Sequence, residues 1–164
     1  DIEQDKYDLA PKGLLTFINK LTSQALECGW TGMLTINIAA AGAPADNCNI
    51  LEQYSSLKIT QIKMVVDPVH TNHNTRKWQD DITMFYCQMN SLTKSAKNTI
   101  NLHKGDFTAM QGTCSGRLLF KAITTQAQVS TKSTATLIMS QLTAGLGQLL
   151  KEAGGNVIIF HEKV

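Results

Sequence analysis

"HTNHNTRKWQDDITMFYCQMNSL" runs from His70 to Leu92 and gathers two histidines, two aspartates and a cysteine. Such residues make either a metal or catalytic site, or a loop followed by the first turns of a packing helix. Periodicity favours the helix. At about 100° per residue, Trp78, Ile82, Phe85, Tyr86, Met89 and Leu92 fall in a stripe roughly 120° wide, as a core-facing amphipathic helix requires. Thr75 is its expected N-cap. Asp80 and Asp81 fall in the first turns, where the helix dipole favours negative charge. As neighbours they point about 100° apart and do not converge on one metal or one substrate atom. Met84 and Cys87 lie outside the stripe, Cys87 opposite to it, which nominates this pair for a subunit contact. His70 and His73 are read as surface loop residues. A His-x-x-His pair supplies two ligands where zinc takes three or four, and no His-Glu-x-x-His pattern is present.

Outward from this helix the chain reads as more of the same. Leu9 to Gly29 carries Leu14, Phe17, Ile18, Leu21, Ala25 and Leu26 at helical spacing, with Pro11 in its first turn and Gly29 as its stop. The stretch 33–38 alternates like a short strand, and 47–57 reads as a short helix over Ile50, Leu51 and Tyr54. A helix over 60–66 is expected to end near Pro68. Beyond the opening stretch, Thr93 caps a helix. Residues 103–116 form a turn-rich connection able to hold a small hairpin near 106–112, anchored by Phe107 and Met110. Ser115 then opens a helix over Leu118, Leu119, Ala122, Ile123 and Ala127. A separate one starts near Thr131 and carries Ala135, Ile138, Leu142, Leu146, Leu149 and Leu150, ending at Gly154 and Gly155. After Asn156 the repeat Val157, Phe160, Val164 is still running at the last residue, so the native polypeptide is expected to continue. The expected fold is mainly α: one compact multi-helix domain over 1–164.

Composition narrows the function. With 164 residues, 43% hydrophobic and 17% charged, the chain has enough apolar material for a core and is not a disordered tail. A net charge of +2 does not by itself imply nucleic acid. The distribution says more. Between Ile82 and Leu150 stand Lys94, Lys97, Lys104, Arg117, Lys121 and Lys132 against Asp106 alone, while Asp1, Glu3, Asp5 and Asp8 make the front acidic. Those six bases are the candidates for contact with RNA or another anion, and the asymmetry also suits head-to-tail pairing of copies. Cys28, Cys48, Cys87 and Cys114 form no Cys-x-x-Cys pair and read as free thiols in a reducing compartment. No apolar run approaches the roughly 18–20 residues of a membrane span.

Catalytic chemistry finds no foothold. None of the histidines at 70, 73, 103 and 161 accompanies a Gly-x-Ser-x-Gly elbow. Gly112 to Gly116, "GTCSG", resembles a glycine-flanked anion loop but lacks the P-loop lysine and spacing, and it reads as a helix entry. The acids are too scattered to nominate a general acid and base. The reading is therefore no enzyme, no metal and no cofactor.

One resemblance runs along the chain in order. Thr75, Arg76 and Gln79 are followed by "MFYCQMNSLTKSAK" from Met84 to Lys97. An Asp-Phe-Thr-x3-Gly-Thr-x-Ser-Gly-x-Leu-Leu-x-Lys element then spans Asp106 to Lys121. After that come Gln128 to Thr136, with "VSTKSTAT", and a closing Gly155 to Val164; at the front stand "KYDLAPKGLLTFINKL", "CGW" and "NILEQYSSL". This order resembles the capsid portion of Gag from copia-type LTR retrotransposons, over nearly the whole chain. The resemblance implies a helical, capsid-like structural protein that associates with itself into virus-like particles enclosing the element's RNA. It implies no enzymatic activity, no membrane, and a cytoplasmic location within particles. The Cys-x-x-Cys…His…Cys zinc knuckle that many such Gags carry for RNA is absent here, so RNA is expected to be held weakly. A small helical RNA-binding module that does not assemble is the alternative.

Overall fold

The computed structural model describes residues 6–39, 43–72 and 75–152, apart from the side chains at 134, 149, 150 and 152. His73, His161 and the expected final element beyond Glu152 lie outside the described residues. The chain divides into two compact units, Asp1–Gln128 and Val129–Val164.

The first unit is mainly helical, as the periodicity leads one to expect. Pro11–Gly13 make a 3₁₀ turn that leads into α1, Leu14–Cys28. Gly29 closes α1 at φ 73°, its N–H donating to the Ala25 and Leu26 carbonyls, the left-handed cap for which glycine carries no steric penalty. A short α2 (Thr31–Leu34) leads into β1 (Thr35–Asn37), which pairs antiparallel with β2 (Asn47–Asn49) so that Ile36 faces Cys48. The strand expected near 33–38 is therefore half of a hairpin. The helix expected over 47–57 is instead a strand followed by turns. Asn37 Oδ1 accepts from the Asp46 N–H and Asn49 Oδ1 from the Leu51 N–H, each at 3.0 Å. Asparagine side chains that bond nearby backbone in this way compete with helix formation. The hairpin expected near 106–112 reduces to a 3₁₀ turn (Lys104–Phe107) and a loop closed by a single bridge, Thr108 to Cys114.

Helix α3 spans Ile59–Thr71 and runs through Pro68 rather than stopping before it. Tertiary bonds hold its last turn in spite of the lost N–H. Asp67 Oδ1 accepts from the Met110 N–H at 2.9 Å, and His70 is tied on both ring nitrogens. Helices α4 (Arg76–Asn90) and α5 (Lys94–Asn101) begin where expected, with Thr75 Oγ1 accepting from Trp78 N–H and Thr93 Oγ1 from Ala96 N–H. Tyr7 is pinned beside the α4–α5 link: its N–H donates to the Ser91 carbonyl at 2.8 Å, and its carbonyl accepts from Thr93 N–H at 3.0 Å. Its ring stacks on Phe17 of α1, with centroids 4.9 Å apart.

Helix α6 spans Gly116–Glu152, where sequence periodicity suggests two helices. Its first turns are the spine of the first unit. Every residue from Ser115 to Thr124 is buried, Arg117 and Lys121 included. Leu118, Leu119, Phe120 and Ile123 join Trp30, Ile36, Ile50, Ile62, Ile100 and Phe107 in the core. A segment buried on all sides carries no amphipathic signal. In the second unit the described residues are the rest of this helix, from Val129 on.

Candidate functional site

The opening stretch does hold a cluster of titratable groups, and it is buried. Asp81 has no solvent exposure, nor do His70 and Ser115; Arg117 is 3% exposed. Asp81 Oδ2 accepts from His70 Nε2 at 2.7 Å, from Ser115 Oγ at 2.7 Å and from Arg117 Nη2 at 3.4 Å. Its Oδ1 accepts from the Arg117 backbone N–H at 3.1 Å. The other ring nitrogen of His70, Nδ1, lies 2.6 Å from Thr113 Oγ1. One carboxylate thus joins the end of α3, the middle of α4 and the start of α6.

Two expectations need correcting here. His70 is not in a surface loop. It follows Ile62 and Val66 at i+4 intervals on the buried face of α3, a position it tolerates because both nitrogens have partners. Asp81 does not serve the start of its own helix. It lies at the N-terminus of α6, where the dipole and the Arg117 N–H favour a negative charge. Asp80 alone stays near the surface, paired with Arg76 Nε at 3.0 Å.

The buried face of α4 is Asp81, Met84 and Gln88, turned by roughly 100° from the stripe that hydrophobicity picks out. Tyr86, inside that stripe, is 61% exposed. Gln88 Nε2 donates to the Gly116 carbonyl at 2.9 Å. Between Asp81 and Gln88 the α6 backbone approaches closely. A Cβ on Gly116 would stand 2.7 Å from the Phe85 nitrogen, 2.8 Å from the Asp81 carbonyl oxygen and 2.8 Å from Met84 Cβ. From its second to its fourth turn α4 therefore reads Asp-x-x-Met-x-x-x-Gln toward a glycine, with polar anchors at both ends of the contact.

The chemistry this cluster can perform is limited by its hydrogen bonds. Ser115 Oγ donates to Asp81 and accepts from Leu118 N–H at 3.3 Å, so it caps α6, and the carboxylate that accepts its proton is held below its ordinary pKa, which makes it a weak base for a hydroxyl. Burial by itself raises the Asp81 pKa. The His70 hydrogen bond, the Arg117 charge, the Ser115 hydroxyl and the Arg117 N–H together outweigh it and hold the carboxyl below its ordinary 3.8. The unfolded chain therefore binds a proton at Asp81 at a pH where the folded chain does not. The stabilisation is complete above the ordinary aspartate range and drains away as pH falls below it. Urea titrations at pH 5, 4, 3 and 2.5 are expected to show stability falling with acid, and falling less steeply in Asp81→Asn. Equal slopes would mean that Asp81 is not held ionised.

The residues nominated from sequence scatter. Met84 is fully buried, and Cys87 is half-buried against α1, accepting from Gln24 Nε2 at 3.4 Å. Met84 therefore offers no exposed surface for a subunit contact, and Cys87 only part of its side chain. Arg117 is committed to Asp81. Lys121 is 8% exposed and donates to the Tyr54 carbonyl at 2.6 Å, so these two bases are not on an RNA-facing surface. Lys94, Lys104 and Lys132 are exposed and Lys97 half-exposed, Lys94 and Lys97 lying one turn apart on α5. All four cysteines are free thiols. Among the described residues no three His, Cys, Asp or Glu side chains cluster to hold a metal, and no helix is long and apolar enough to cross a membrane.

An exposed apolar face lies in the second unit. Along α6, Leu137, Ile138, Met139, Leu142 and Leu146 are between 44% and 63% exposed. At about 100° per residue, Ile138, Met139, Leu142 and Leu146 share one face roughly 100° wide. From Val129 to Leu150 the only charged residue is Lys132. Sequence periodicity locates this face correctly, but it cannot tell a face that packs within its own unit from one that does not.

No protein-family model, no curated protein and no solved structure matches this chain.

Proposed function

We propose that this chain is a structural subunit of the Gag capsid type, one that associates with its own copies into particles enclosing retroelement RNA, with the 129–152 helix as one of its contacts. The observation that carries the reading is the exposed apolar face of that helix, Ile138, Met139, Leu142 and Leu146. A contiguous apolar face of this kind marks an interaction surface, and a second copy brings no like-charge repulsion to it, since Lys132 is the one charge over 129–150. The ordered resemblance to copia-type Gag supports the same conclusion. Burying a leucine of this type contributes about 1.5–3 kcal/mol, and contacts that are individually weak gain strength when a subunit makes several.

Light scattering and negative-stain microscopy on the purified chain test this. The wild type is expected to form oligomers or closed particles that grow with sulfate, because excluded salts strengthen apolar burial. Leu142→Asp should remain folded, as an exposed substitution, and raise the concentration needed for assembly by roughly tenfold or more. Assembly unchanged in Leu142→Asp would remove this helix from the interface. A wild-type monomer at every salt and concentration would remove the self-assembly reading. A second reading, an RNA-binding module that does not assemble, draws on exposed Lys94, Lys97 and Lys104. It requires RNA affinity that falls steeply with salt in a chain that stays monomeric.

A further inference from the structure

Lys121 was a candidate for RNA contact by its place in a basic stretch, and burial withdraws it from any such surface. Its actual setting raises a different question. Lys121 is 8% exposed, and among the described residues its ammonium donates one hydrogen bond, to the Tyr54 carbonyl. Among the described residues no carboxylate lies within ion-pair distance of it. An ammonium carries three donors, so two remain. A buried charge without a counter-charge costs free energy, and burial pushes the Lys121 pKa below its ordinary 10.5. The first unit thus keeps a largely buried cation with no neutralising carboxylate among its described residues.

That cation lines a cavity of about 510 Å³, bounded by the turn at 55–59, by His103 and Asp106, and by the α6 face of Lys121 and Thr125. The rest of the lining favours negative charge as well. Lys58 is exposed at the mouth, and α3 starts at Ile59 on the same wall, so the positive end of its dipole meets the cavity. Ser55 and Thr125 add hydroxyl donors. One acid, Asp106, also lines the cavity, 3.8 Å from His103 Nδ1.

We propose that this cavity is a binding site for the phosphate group of a small molecule, with the oxyanion against the Lys121 ammonium. Phosphate suits the lining better than a carboxylate, because two lysines and a helix N-terminus together match a dianion, and lysine binds phosphate as a compact point charge. A small molecule suits it better than RNA. A strand presents repeated phosphates and is met by a row of exposed cations, whereas Lys121 is single and recessed. All of the lining residues belong to the first unit, and phosphate binding there does not require assembly.

The test is a titration of the full chain with inorganic phosphate and, separately, with AMP at constant ionic strength, followed by amide chemical shifts. Saturable shifts are expected at Lys58, Ile59, His103 and Thr125. Tighter binding of AMP identifies a phosphomonoester as the occupant, and equal affinity identifies free phosphate; either outcome supports the site. Lys121→Met, which fills the same space without charge, should weaken binding by roughly tenfold or more. Lys58→Ser, at an exposed position that leaves folding intact, should weaken it less, and Lys132→Met not at all. No saturable shift with either probe would overturn the proposal. So would unchanged binding in both Lys121→Met and Lys58→Ser, or shifts seen only with an oligoribonucleotide.

Discussion

Replacing Asp81 with alanine is expected to destabilise the first unit by about 3–5 kcal/mol, the range for removing one partner of a buried ion pair. That is a large share of the roughly 5–15 kcal/mol that holds a domain folded, so Asp81→Ala should express poorly or unfold at a much lower urea concentration. The cost has several sources. Arg117 loses the one carboxylate beside its buried guanidinium, and its Nε already has no hydrogen-bond partner among the described residues. Ser115 Oγ and His70 Nε2 lose the 2.7 Å acceptor they share, and the Arg117 N–H at the start of α6 loses its 3.1 Å bond. Asp81→Asn separates charge from shape. It keeps the volume and one acceptor but leaves Arg117 uncompensated. Adding Arg117→Met to Asp81→Asn should then recover part of the loss, since an apolar replacement removes the unpaired cation. Urea denaturation followed by circular dichroism reads the three variants against the wild type. A loss below about 1 kcal/mol in Asp81→Ala, the size of an ordinary surface hydrogen bond, would show that this carboxylate is not the joint between α3, α4 and α6.

Gly116→Ala is expected to cost about 2–3 kcal/mol or more, although alanine is the better helix former by about 1 kcal/mol. The reason is space. The added methyl would meet the Phe85 nitrogen at 2.7 Å and the Asp81 carbonyl oxygen at 2.8 Å, and these are backbone atoms that cannot rotate away. Relief requires α6 to draw back from α4, which lengthens the Gln88 bond to the Gly116 carbonyl and the Asp81 bond to the Arg117 N–H at once. Gly145→Ala is the control. It lies in the same helix with nothing within 4 Å of its would-be Cβ, so propensity acts alone and the change should stabilise by roughly 0.5–1 kcal/mol. Opposite signs at the two glycines are the expected result. A neutral or stabilising Gly116→Ala would mean that the two helices are not in contact there.

Much of this fold is legible in the residue order, and the parts that are not share a cause. Local signals sufficed wherever the deciding interaction was local: Gly29 ending α1, Thr75 and Thr93 opening α4 and α5, and Ser115 opening α6. The mainly helical class follows from apolar spacing alone. Periodicity failed where the buried residue is polar. Asp81 and Gln88 count as solvent-facing in any hydrophobicity pattern, so the apparent core face of α4 is displaced by about one residue's rotation onto Tyr86 and Met89. The Asp-x-x-Met-x-x-x-Gln spacing facing "GTCSG" was the available signal, and it has meaning only once α6 is placed beside α4.

The sequence by itself determined α1, α4 and α5, the starts of α3 and α6, and the apolar face of residues 129–152, because each depends on backbone sterics, capping atoms within four residues, or side-chain spacing along one element. Tertiary structure decided the rest. It set α3 running on through Pro68, His70 inside rather than outside, and Met84 in the core. It also put Arg117 on a carboxylate 36 residues away and Lys121 on a cavity wall. In each of these cases a buried polar group, or a backbone penalty, is offset by a partner distant in the chain, and the free energy of such a pairing has no counterpart in local sequence.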